Sequence, residues 1–308
     1  MRARTGLNEL PAYLVHEGEF VIKLDANERT TNLPSTVLKA GLERITNLDF
    51  NRYPEISMSV LRKKIADEFG FEKDNILIGN GSSQLLAAAC YAFGGNKSSI
   101  IYPDPSFSMY NTYVKLADST PVKVALNDNF GINPELILET AKSSNAGLII
   151  LCSPNNPTGN SIPLKDIETV LKHAECPVIL DAAYCEFDEN TVLPDINEYP
   201  NLIIARTFSK AYGLAGLRVG YMVGSAELIE TISKSLMPYN VNAVSLAMAE
   251  AVFDRRHEFQ ADIIATIRER KILSDKLATF PGIKVYPSKT NFILIKYDKS
   301  FELNNYLR

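Results

Sequence analysis

The chain has 308 residues, of which 46% are hydrophobic and 22% charged, a mix that excludes a disordered or fibrous protein. Its net charge of -4 argues against a general attraction to nucleic acid, and its longest apolar runs, such as Ala146 to Cys152, are far shorter than the roughly 20 residues of a membrane-spanning helix. A chain of this length is expected to divide into a compact domain and a smaller partner domain.

The opening stretch, MRARTGLNELPAYLVHEGEF, has no apolar segment and no small-residue cleavage site after its arginines, so no secretory leader is read there and the cytoplasm is the expected location. Short β-rich runs then alternate with amphipathic stretches, the pattern of a mostly parallel sheet with helices on both faces. Strands are expected at Ile76 to Ile78, Ser99 to Tyr102, Thr120 to Ala125, Gly147 to Cys152, Val178 to Asp181, Leu202 to Thr207 and Arg218 to Val223. Helices are expected at Ser83 to Phe93, Pro134 to Ser143, Leu164 to His173 and Ala226 to Ser235. After Pro238 the spacing of Ala261, Ile264, Ile267, Ile272 and Leu273 predicts a long helix that packs through these residues, followed by strands at Ile283 to Tyr286 and Asn291 to Ile295. The expected architecture is α/β, with a large domain over 45–240 and a smaller α+β domain from 1–44 and 241–308.

Cys90, Cys152, Cys176 and Cys185 form no C-x-x-C pair, and His16, His173 and His257 form no H-E-x-x-H arrangement, so neither a metal site nor a disulfide framework is expected. The chemistry concentrates in four other places. Gly79-Asn80-Gly81-Ser82-Ser83-Gln84 follows a strand and opens a helix. Its bare backbone, first N–H groups and the Ser82 and Ser83 hydroxyls suit an anion, while Gln84 occupies the place of the last glycine of a dinucleotide fingerprint. Ser153-Pro154-Asn155-Asn156-Pro157-Thr158-Gly159 is a turn at the end of the most apolar strand, where open α/β sheets bind ligands.

Asp181 ends another apolar strand and requires a partner for its charge; a protonated pyridine nitrogen is one such partner, and Tyr184, three residues on, can donate to a ring oxygen. In Thr207-Phe208-Ser209-Lys210 and the following Gly216-Leu217-Arg218, a lysine at a strand end can keep a neutral, nucleophilic amine, and Ser209 with Arg218 suits a phosphate. Taken singly, each segment also reads as an ordinary turn, helix cap or buried structural carboxylate. Their shared position at strand ends makes one site the better account.

In these four blocks, in their order, and in Leu24-Asp25-Ala26-Asn27-Glu28 and Asn51-Arg52-Tyr53-Pro54-Glu55, nearly the whole chain resembles the fold-type-I, pyridoxal-phosphate-dependent aminotransferases of class I and II, and most of all their histidinol-phosphate branch. The resemblance implies pyridoxal 5'-phosphate as cofactor and Lys210 as the Schiff-base lysine that also shuttles the substrate proton. It implies Asp181 on the pyridinium nitrogen and Asn156 with Tyr184 on the phenolic oxygen. Ser82, Ser83, Ser209 and Arg218 match phosphate-binding positions, and Phe107 matches the aromatic that stacks on the ring. Tyr53 matches a residue that reaches the phosphate of the neighbouring subunit, which implies a homodimer with shared sites. Asn27 lies in the substrate segment. The implied reaction is a ping-pong transfer between an amino donor, histidinol phosphate in that branch, and a 2-oxo acid, 2-oxoglutarate.

The sequence departs from the family pattern in two places. Arg29-Thr30-Thr31 stands where relatives more often carry Asn-Pro. No position up to Arg308 matches the arginine that grips the substrate carboxylate in that family, so the expectation is that either the chain is truncated within its C-terminal small-domain part or carboxylate binding is altered. The cofactor blocks also serve aromatic aminotransferases and threonine-phosphate decarboxylases, and a non-catalytic cofactor-binding protein of the same fold. Charge runs such as Arg268-Glu269-Arg270-Lys271 read as a solvated helix face.

Overall fold

The computed structural model describes residues 22–307 together with Leu7 and Leu10, so the reading of the opening stretch over 1–20 lies almost wholly outside the described residues. Seven strands form one sheet in the spatial order β1-β7-β6-β5-β4-β2-β3. They are β1 (Ile76–Asn80), β2 (Ser99–Asp104), β3 (Thr120–Ala125), β4 (Ala146–Cys152), β5 (Val178–Asp181), β6 (Leu202–Thr207) and β7 (Val219–Gly224). All run in one direction except β7, which is antiparallel to both β6 and β1.

The central strands carry continuous apolar runs because both of their faces are covered. Successive side chains point to opposite faces, so Leu148, Ile150 and Cys152 of β4 enter one core while Ile149 and Leu151 enter the other. The first core is closed by α3 (Gly81–Phe93), α4 (Met109–Leu116) and α7 (Ala226–Ser233) through Leu85, Leu86, Val114, Ile229 and Ile232. The second takes α1 (Ser35–Thr46), α2 (Ser59–Phe69), α5 (Pro134–Ser143), α6 (Leu164–His173) and α8 (Ala243–Asp254). Helix α8 is apolar around nearly its whole circumference because it is buried, packed against α1 and α2.

A final section comprises α9 (Gln260–Leu277), the antiparallel pair β8 (Ile283–Val285) and β9 (Ile295–Tyr297), and α10 (Ser300–Leu307). Here the structure corrects two sequence expectations. In α9 the side chains of Ile264, Ile272 and Leu273 are about half exposed and Ile263 is the buried one, so the helix turns a different edge inward than its apolar spacing suggests. The last strand lies at Ile295–Tyr297, not Asn291 to Ile295, because Ser288, Thr290 and Phe292 fold into a turn in which Ser288 Oγ donates to the Phe292 carbonyl.

One buried ion pair ties the sheet to the loop after β5. Arg206 of β6 donates through Nη2 to Glu186 Oε1 at 2.8 Å, with side-chain exposures of 12% and 9%, between the rings of Phe69 and Tyr221. Glu186→Ala leaves the guanidinium desolvated and unpaired, and is expected to cost about 3 kcal/mol of stability, read as a lowered urea midpoint at unchanged slope.

Candidate active site

The C-terminal ends of the parallel strands open into a cavity of 350 Å³. Its lining includes Asn27, Ser82, Ser83, Phe107, Asn156, Asp181, Tyr184, Ser209, Lys210 and Arg218. The structure thus brings together every sequence-predicted site residue except Tyr53. That tyrosine is 80% exposed and stacks on Tyr239 at 4.4 Å, away from the cavity of its own chain.

At one end of the cavity α3 begins at Gly81, two residues earlier than expected, so the N–H groups of its first turn face outward from the helix. Gly81 has φ +74°, and a Cβ there would meet Arg218 Nη2 at 2.5 Å; a Cβ at Gly220 of β7 would meet the Ser82 nitrogen at 2.3 Å. Only bare backbone lets the arginine and β7 close on the start of α3. Arg218 itself has φ +55° and donates through Nη1 to Ser209 Oγ and to the Ala215 carbonyl, both at 3.3 Å. Hydroxyls, first-turn N–H groups and a guanidinium therefore converge on one end.

Asp181, at the end of β5, is 4% exposed. Its Oδ2 accepts from the Tyr110 hydroxyl at 2.7 Å and its Oδ1 from the Ala183 N–H at 3.3 Å. Burial pushes its carboxyl up to about 6, against the pull of these two hydrogen bonds. The Tyr184 oxygen accepts from the side-chain amides of Asn156 and Asn27, each at 3.2 Å, which leaves its own hydrogen free to donate into the cavity.

Lys210 follows β6, and its Nζ donates to the Ala26 carbonyl at 2.7 Å. Burial brings its amine down to about 8; Glu28 opposes the shift, while Arg218 and Lys23 add to it. The mouth is formed by Asp25 to Glu28, a segment fastened from several sides. Asn291 Nδ2 donates to the Asn27 carbonyl at 3.0 Å. Arg29, one of the departures from the family pattern, pairs with Asp262 of α9, donates to the Asn32 carbonyl at 3.0 Å and lies over the Phe259 ring at 4.9 Å.

Sequence reasoning missed Tyr110 and the Ala26 carbonyl. Tyr110 stands one helical turn after Phe107, and a phenol in a buried helix needs a hydrogen-bond partner, which was the available signal. Backbone acceptors leave no signal in sequence. Among the described residues no group of three or more His, Cys, Asp or Glu is placed to hold a metal ion, and no helix is long and apolar enough to cross a membrane.

An open, mostly parallel sheet with a lysine, a buried carboxylate and an anion-suited helix start at its strand ends defines a class of group-transfer enzymes, and comparison with known proteins places the chain within it. Residues 19–301 match the family model for aminotransferase class I and II, and the chain belongs to that family. It is 38% identical over 285 residues to the histidinol-phosphate aminotransferase of Thermoanaerobacter sp. (strain X514), covering 92% of this chain and 81% of that one. Among solved structures, histidinol-phosphate aminotransferase from Sinorhizobium meliloti in complex with pyridoxal-5'-phosphate aligns with a TM-score of 0.83 at 26% identity, over 91% of this chain and 76% of that one. L-threonine-O-3-phosphate decarboxylase from Porphyromonas gingivalis aligns with a TM-score of 0.77 at 27% identity, over 88% and 81%.

Proposed function

We propose that this protein is a pyridoxal-phosphate-dependent aminotransferase that moves an amino group from histidinol phosphate to 2-oxoglutarate in two half-reactions at one site. The observation that carries the reading is the convergence on one cavity of the Asp181 carboxylate, the partly desolvated Lys210 amine and the cationic, hydroxyl-lined end at Arg218. These residues fit the cofactor: the cradle at Gly81, which a Cβ would fill, suits a phosphate, and a buried acid suits a ring nitrogen.

Bound pyridoxal phosphate supplies the electron sink that makes the substrate's amine-bearing carbon acidic. Ser82, Ser83, Ser209 and Arg218, with the N–H groups opening α3, hold the phosphate and fix the depth of the ring. Phe107 gives the ring a flat apolar wall. Asp181 is ionised above pH of about 6 and favours a proton on the facing ring nitrogen. Tyr184 and Asn156 donate to the phenolic oxygen, while Asn27 stands at the mouth as a substrate contact. Lys210 Nζ takes the proton from the amine-bearing carbon, a task for which an amine near 8 is close to matched at neutral pH.

The protein is read as a cytoplasmic homodimer in which 45–240 bind the cofactor and 1–44 with 241–308 form the small domain, apart from α1 and α8, which pack under the seven-stranded sheet. Phe50, Tyr53, Ile56 and Met237 are exposed apolar side chains that a second copy would cover, and this pairing delivers Tyr53 to the neighbour's phosphate end. In the test, purified protein with pyridoxal phosphate, histidinol phosphate and 2-oxoglutarate is expected to form glutamate at the rate at which histidinol phosphate is consumed. Carbon dioxide release from threonine phosphate, without glutamate from histidinol phosphate, would overturn the assignment.

A further inference from the structure

Tyr110 lies in the first turn of α4 and is fully buried. It is not part of the cavity lining, yet it touches two residues that are. Its hydroxyl donates to Asp181 Oδ2 at 2.7 Å. Its ring meets Phe107 edge to face, with centroids 5.5 Å apart and planes at 87°, and its N–H donates to the Phe107 carbonyl at 3.0 Å. Behind it Tyr102 packs at 5.8 Å, so the phenol has no room to swing away.

We propose that Tyr110 is a positioning residue that sets two walls of the site together, orienting the Asp181 carboxylate toward the cofactor's ring nitrogen and pinning Phe107 as the aromatic wall. The inference rests on the pyridoxal-phosphate reading above. Its physical basis is that a buried carboxylate with few donors is both poorly oriented and easily protonated, and the Tyr110 hydroxyl is the shorter of the two hydrogen bonds Asp181 accepts. The other titratable groups around Asp181 are the Tyr110 and Tyr113 phenols of α4, the Cys152 thiol of β4 and the Tyr184 phenol, with Lys210 and Arg218 across the cavity. Burial raises all three phenols and the thiol, so they stay neutral where the carboxylate titrates. A change in that titration reports on Asp181.

The experiment compares wild type with Tyr110→Phe, which keeps the ring and loses the hydroxyl, and Tyr110→Leu, which loses both. In cofactor-free protein, the infrared carboxyl band of Asp181 is expected to appear at higher pH in Tyr110→Phe than in wild type, because the lost hydrogen bond favours the charged form. In the loaded protein, the Kd for pyridoxal phosphate is expected to rise about tenfold, the effect of one hydrogen bond to a charged group, and further in Tyr110→Leu as Phe107 loses its support. Should Tyr110→Phe not fold, 3-fluorotyrosine at position 110, a stronger donor of the same shape, is expected to move the band to lower pH. An unmoved titration with unchanged affinity overturns the inference and leaves the cofactor reading intact. A wild type that binds no pyridoxal phosphate overturns both.

Discussion

Lys210→Ala is expected to reduce turnover by at least about 10²-fold to 10⁴-fold, the range for loss of a positioned acid–base group, with little change in fold. The amine is not a core element: it reaches from the loop after β6 to a single backbone acceptor, the Ala26 carbonyl. Its removal leaves the sheet, both apolar cores and the Arg218 end intact. What is lost is the one amine in the cavity lining brought down to about 8. The sign of the pH dependence follows, since the neutral form of the wild-type lysine grows as pH rises through about 8. Activity limited by that form increases over the same range, and the alanine variant loses this limb of the profile. Visible absorbance of the bound cofactor, thermal midpoint and single-turnover rate are the three measurements. Added methylamine is expected to restore part of the rate in the variant. A variant with wild-type turnover would remove Lys210 from the chemistry.

How much of this was legible in sequence depended on whether the signal was local. Strand β5 lies where its apolar run does, because a strand covered on both faces has to be apolar along nearly its whole length; β3 and β6 also keep their expected bounds, although β3 is a half-exposed edge strand and β6 carries Arg206. The order of the blocks around Ser82, Asn156, Asp181 and Lys210 puts them at strand ends, and the cavity lining contains all four. Helix α9 misled because its apolar residues are spread around the helix and no single edge stands out; Ile264 and Ile272 are about half exposed while Ile263 is buried. The Tyr110 contact to Asp181 joins residues 71 positions apart, and no spacing rule reaches that far. Arg29 was visible only as a departure from a pattern. The structure gives it a physical place, between Phe259 and Asp262, as the outer fastening of the segment that carries Ala26 and Asn27.

Asp181→Asn separates what the carboxylate does for catalysis from what it costs the fold. The amide keeps the shape and can still accept the Tyr110 hydrogen bond, so the packing of β5 is retained. The negative charge that the proposed function sets beside the ring nitrogen is lost, and a nearby opposite charge is worth about one to three pKa units to a cation. Turnover is therefore expected to fall by about 10-fold to 10³-fold, more in kcat than in KM, because the charge matters most when electron density moves into the ring. Stability of the cofactor-free protein is expected to move the other way. Burial raises the folded-state carboxyl to about 6 from 3.8, so its favourable contribution is complete below pH of about 4 and is lost as pH rises through about 6. The asparagine variant has no such loss and is expected to be more stable than wild type at pH 7, by on the order of 1–3 kcal/mol, with the difference vanishing toward pH 4. Denaturant unfolding of both proteins at these two pH values is the check. A variant that is less stable at pH 7 would mean that Asp181 is an ordinary structural carboxylate, held ionised by the protein for the protein's own sake and not for a bound ring.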